Sequence, residues 1–122
     1  MEAWRGRTVI STLAAFGGSP AAVDNLRRLR AAGVTILYGT DLGNVRIDGP
    51  SAEEVRLLRD AGLDDKEITA AMTTTPIAYW KLPLNLEAQD EATFLVLDKD
   101  PRTDASVLVK PRTLVSRGRI IK

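Results

Sequence analysis

The sequence predicts an α/β fold that gives way to an all-β tail, on three observations. A short β-branched run, an amphipathic helical stretch and a second apolar run follow one another with short connections, which is a βαβ unit. The second run is apolar on both faces, the pattern of a parallel strand covered on both sides. Near Pro83 the chain loses its helical periodicity, and short strand patterns with turn residues take over.

The elements follow in order. Residues 8–13 (TVISTL) read as a strand. After Phe16-Gly17-Gly18, Ser19 is placed as an N-cap with Pro20 at the first helical position, where its missing N–H costs nothing. Ala22, Leu26 and Leu29 share a face with Val23 beside them, and Gly33 ends the helix. Residues 34–38 (VTILY) are the second strand, closing in Gly39-Thr40-Asp41 and a polar loop to Pro50. Ser51 with Glu54 predicts a capping box for a second helix whose buried face is Val55, Leu58 and Ala61, closed by Gly62. Asp64 with Glu67 repeats the cap for a third helix to about Met72, burying Ile68, Ala71 and Met72. Thr75-Pro76 starts a short fourth helix carrying Tyr79 and Trp80. Residues 93–97 and 107–109 are expected strands, and Arg112 to Ser116 with Arg119 to Ile121 form a hairpin about Arg117-Gly118. This divides the chain at residues 1–82 and 83–122.

Both parts read as pieces of larger units. A parallel sheet that needs cover on both faces usually has more than two strands, and the tail has little apolar mass of its own.

Composition narrows the chemistry. In 122 residues, 44% hydrophobic and 27% charged with a net charge of +1, a packed core is attainable and no basic face calls for nucleic acid. Arg27, Arg28 and Arg30 read as the solvated face of the first helix. The chain has no cysteine and no histidine, so it cannot by itself form a disulfide, a thiolate or imidazole metal site, or a Ser-His-Asp triad. No apolar run is long enough to span a membrane, and residues 1–7 lack the apolar core of a signal peptide, so the expected compartment is cytoplasmic.

Asp41 is the candidate functional residue. It stands just past the C-terminal end of a buried parallel strand, where ligands bind and catalytic groups project in α/β folds. A carboxylate there can ligate a metal or accept a proton. It can equally cap a turn, a common place for Asp. Glu53, Glu54, Asp64, Asp65 and Glu67 are assigned to first helical turns at the surface. Asp98, Lys99 and Asp100 form a solvated turn before Pro101, and Gly17-Gly18-Ser19 is an ordinary N-cap rather than an anion loop. Tyr79 and Trp80 are expected to pack between the helical part and the β tail, and Trp4 to cover a neighbouring element.

Taken in order, these segments resemble the C-terminal part of the amidohydrolase superfamily, in its imidazolonepropionase-like and dipeptidase-like branch. TVISTL resembles barrel strand seven, and VDNLRRLRAAGVTILYGTDLGN resembles helix seven, strand eight and the loop after it, with Gly39-Thr40-Asp41 matching the family's Gly-Thr-Asp. Thr73 and Pro76 match a Thr-x-Asn-Pro-Ala motif in which Thr75 replaces Asn. Ala92, Val96, Leu97, Asp100 and Pro101 match an Ala-Asp-Leu-Val-Val-Leu-x-x-Asp-Pro segment in which Thr93 replaces Asp. RTLVSRGRII resembles the closing strand pair, and Asn85 and Gln89 stand where glycines are usual.

The resemblance spans about residues 8–121. It implies the last two β/α units of a TIM barrel, followed by C-terminal strands of a small β domain. It implies hydrolysis of C–N bonds in amides, dipeptides or cyclic amides, with zinc as cofactor and Asp41 as both metal ligand and general base. Asp41 would take a proton from metal-activated water and pass it to the leaving nitrogen. The family's histidine ligands lie on strands this chain does not contain. The implied partners are therefore the missing N-terminal barrel portion, or further copies of this chain, with a small-molecule substrate in the complete enzyme and neither nucleic acid nor membrane. Two other expectations stand beside it: a non-catalytic remnant that folds by oligomerising as a structural or binding module, and an unrelated α/β domain that binds a ligand beside Asp41.

Overall fold

The fold, a computed structural model, is described for residues 2–44, 46–85 and 87–122; Met1, Val45 in the loop to Pro50, and Leu86 lie outside the description. It is mixed α/β with one small parallel and one small antiparallel sheet. Strand β1 (Thr8–Ser11) leads through a short 3-10 turn (Ala14–Phe16) to α1 (Pro20–Ala31), then β2 (Thr35–Tyr38). β1 and β2 pair in parallel, Thr8 opposite Thr35 and Ser11 opposite Tyr38. Helices α2 (Ala52–Asp60), α3 (Asp65–Met72) and α4 (Thr74–Trp80) follow. The tail holds β3 (Phe94–Val96), a 3-10 turn (Ala105–Leu108), β4 (Thr113–Ser116) and β5 (Arg119–Ile120), in the antiparallel order β3-β4-β5.

Local chemistry explains most boundaries. The Ser19 side chain caps α1 by accepting from the Ala22 N–H, with Pro20 at its first position. At its end Gly33 takes φ 80°, and the N–H groups of Gly33 and Val34 close onto the carbonyls of Arg30 and Leu29. Gly62, at φ 94°, ends α2 the same way, with Leu63 bonded back to Leu58. Only a residue without a Cβ enters this left-handed region freely. Asp64 and Glu67 form the reciprocal capping box expected for α3. In the β4–β5 hairpin Arg117 and Gly118 both have positive φ, 51° and 73°, the twist a two-residue hairpin loop requires.

The core lies between one face of the parallel sheet and the helices. Leu13, Val23, Leu26, Ile36, Val55, Leu57, Leu58, Ala61, Leu63 and Ile68 are buried together, with Val9 and Tyr38 against them. Arg27, Arg28 and Arg30 stay at the surface, paired with Asp24 and Glu67.

Two expectations change. Residues 107–109 are not a strand: Asp104 caps a 3-10 turn by accepting from the Ser106 N–H, and Ala105 and Leu108 drop into the core. Burial of two residues three apart suits one helical turn and not the alternation of a strand. Tyr79 and Trp80 do not fill a seam. Each is about half exposed, and they meet each other edge to face at 5.2 Å between ring centres. The second strand is buried on both faces as its pattern predicts, through Ile36 and Leu37, whereas on the first strand Ile10 is 55% exposed.

Candidate functional site

The C-terminal ends of β1 and β2 and the N-terminus of α2 come together. Ser11 and Tyr38 are opposite one another in the sheet, and both side chains turn to α2. Glu54 is fully buried. One carboxyl oxygen accepts the Ser11 hydroxyl, and the other accepts the Ala14 N–H at 2.6 Å. Tyr38 accepts the Ser51 N–H at 2.5 Å, while the Ser51 side chain accepts the Glu54 N–H at 3.1 Å. Burial first, and then the nearby Glu54 charge, raise the Tyr38 phenol above its ordinary pKa, with the Ser51 backbone bond opposing.

This corrects the surface role expected of Glu54 and half of its capping box. Ser51 caps the helix, but Glu54 does not return to the Ser51 N–H, which Tyr38 has taken. The signal was in the spacing. Glu54, Leu57, Leu58 and Ala61 stand at i, i+3, i+4 and i+7, so Glu54 lies on the apolar stripe. A carboxylate there is tolerated because two donors meet it.

Asp41 lies three residues beyond Tyr38, as expected from the strand pattern, and is partly exposed. Its backbone is left-handed, φ 55°. Its carboxylate accepts the Asn44 side-chain N–H at 2.9 Å, and its carbonyl accepts the Asn44 backbone N–H at 2.8 Å. That is the geometry of a turn-forming Asp. One carboxylate oxygen makes no hydrogen bond among the described residues, which leaves Asp41 able to accept a proton or a cation as well.

Gly39 serves a purpose the sequence did not indicate. What it permits is close approach. A Cβ there would lie 2.6 Å from the Ile10 Cγ2 and 2.8 Å from the Ser11 carbonyl oxygen. Glycine therefore lets the start of the Asp41 loop lie directly over the end of β1.

The residues present do not by themselves make a zinc site. The chain has no His or Cys, and among the described residues no three Asp or Glu side chains converge. Asp41 can contribute one ligand where three or four are typical. Among the described residues no helix is long and apolar enough to cross a membrane.

In comparisons with known proteins, no family model, no curated protein and no solved structure matches this chain.

Proposed function

We propose that this chain is the C-terminal portion of a metal-dependent amidohydrolase that cleaves C–N bonds in small amides, dipeptides or cyclic amides. In this reading residues 1–82 hold the last two β/α units of a TIM barrel, residues 83–122 belong to its small β domain, and the compartment is cytoplasmic. The observation that carries it is the position of Asp41 just past a parallel strand whose two-stranded sheet has, among the described residues, no partner at either outer edge. That end of a parallel sheet is where catalytic groups project. Asp41 would hold and return the proton of the reaction and serve as one ligand of a zinc site completed by residues outside this chain. The remaining ligands must come from a companion segment.

A second reading has its own support. The same unpaired edges suit a non-catalytic module that folds by association with further copies, since open edges template strand pairing.

The test is intact mass and zinc content of the protein purified without denaturation, with amide hydrolysis assayed on the same sample. The proposal expects a species larger than 13.3 kDa, about one zinc per chain, and loss of activity in Asp41→Asn by about a hundredfold or more. A species larger than 13.3 kDa that holds a companion segment and yet is metal-free and inactive would overturn the enzymatic reading.

A further inference from the structure

The two segments that form the antiparallel sheet are of opposite charge. Residues 87–98, which carry β3, include Glu87, Asp90, Glu91 and Asp98 and no basic residue. Residues 110–122, which carry β4 and β5, include Lys110, Arg112, Arg117, Arg119 and Lys122 and no acidic one. Part of this segregation acts within the sheet, through loose pairs of Arg117 with Glu91 at 3.5 Å and Arg112 with Asp98 at 3.9 Å. Arg119 and Lys122, on and just beyond β5, enter no ion pair among the described residues.

Both edges are open to pairing. β4 is the middle strand, so among the described residues β3 and β5 each have one neighbour. The Ile121 N–H and the Val96 carbonyl point inward to the β4 side. By the alternation of a strand, the N–H groups of Ile120 and Leu95 point outward, and no backbone hydrogen bond reaches them among the described residues. Ile120 is 76% exposed, and Leu95 and Val96 are each 39% exposed. Edge strands in native proteins are commonly guarded by covering elements or by charges that repel another copy. Here the charges on one edge attract the other edge.

We propose that this chain associates with further copies of itself head to tail, the basic β5 edge of one copy adding to the acidic β3 edge of the next as an antiparallel strand. The contact is heterologous, because two different edges meet, so it leaves one free edge at each end and propagates. It does not use Asp41, and its test reads mass rather than zinc or activity.

Proline at an outward N–H blocks an edge while remaining compatible with an edge strand. Sedimentation velocity of the whole chain over a range of concentrations is the measurement, with Ile120→Pro closing β5 and Leu95→Pro closing β3. The wild type is expected to grow in mass with concentration and to shrink toward 13.3 kDa in about 1 M salt, where screening acts within about 3 Å. Each proline variant alone should stay monomeric. An equimolar mixture should form a two-chain species, because each variant retains the edge the other lacks. Arg119→Glu combined with Lys122→Glu, which leaves the backbone donors in place, should weaken association by about tenfold; if circular dichroism shows that a proline variant is unfolded, this pair decides. A wild type that remains monomeric throughout overturns the proposal. So does association that persists in both proline variants, a mixture of folded variants that fails to pair, or an unchanged affinity in the charge-reversed pair.

Discussion

The helical part of the chain and its β tail differ in what holds them. In the first, Val55, Leu58, Ala61 and Ile68 are almost wholly enclosed between α2, α3 and the parallel sheet. In the tail's three strands only Val115 is buried, and Ile120 is mostly in water. Between α3, α4 and the sheet an open, mainly apolar cleft of about 650 Å³ remains, edged by Met72, Ile77, Leu95 and Leu114. The tail's firmest attachment is its 3-10 turn. There Ala105 enters the helical core and its N–H bonds to Asp65, while Arg59 reaches both Asp65 and Asp104. The first region supplies its own core, and the second borrows from it.

Core truncation should expose that difference most strongly. Leu58→Ala is expected to cost about 3 kcal/mol of unfolding free energy, and Leu114→Ala, at the partly open cleft, less than about 1.5. Urea titration of both variants measures this, and equal losses would break the contrast.

The buried polar contacts come next. Glu54→Ala leaves the Ser11 hydroxyl and the Ala14 N–H without their acceptor and should cost about 2–4 kcal/mol. Glu54→Gln, which keeps one acceptor oxygen, should lose about half as much. If the two variants unfold at the same urea concentration, the carboxylate is not what joins α2 to the end of β1.

Gly39→Ala should cost about 1–3 kcal/mol, because the new methyl meets a backbone oxygen that cannot move aside as a flexible side chain can. A melting temperature unchanged from wild type would show that the Asp41 loop does not need this close approach.

Tyr38→Phe is expected to cost about 1 kcal/mol through loss of the acceptor for the Ser51 N–H. Because folding raises the Tyr38 pKa above 10.0, its contribution is complete below pH 10 and falls as pH rises toward the folded value. Chemical denaturation at pH 9 and at pH 11 should show a steeper alkaline loss for wild type than for Tyr38→Phe.

The smallest effect should come from the bridge between the two regions. Arg59→Met removes pairs with Asp65 and Asp104 whose members are about one-third exposed, and solvent screening should hold the cost near or below about 1 kcal/mol. A larger loss in a salt-dependent denaturation series would make this cluster a principal fastening of the tail.

Much of this was legible from residue order. Ser19-Pro20 and Gly33 bracket α1, Asp64 with Glu67 opens α3, and Arg117-Gly118 makes the hairpin, because each acts on backbone groups within a few residues of itself. The position of Asp41 past β2 was readable for the same reason. The fate of Glu54 was harder: two rules applied to it, a local cap and a helical stripe, and they pointed to opposite environments. Residues 107–109 misled because a short β-branched run fits a strand as well as a buried turn.

The sequence by itself determined the ends of α1 and α3, the order of strands and helices outside residues 107–109, and the absence of any histidine or cysteine chemistry, since these depend on neighbouring residues or on composition alone. Only the tertiary structure decided that Glu54 is enclosed by Ser11 and Ala14, that Gly39 is required by the approach of β1, and that Ala105 belongs to the helical core. Each of these depends on atoms from segments far apart in the chain, 28 to 43 residues for the contacts of Gly39 and Glu54 with Ser11, and such distances are set by packing rather than by local spacing.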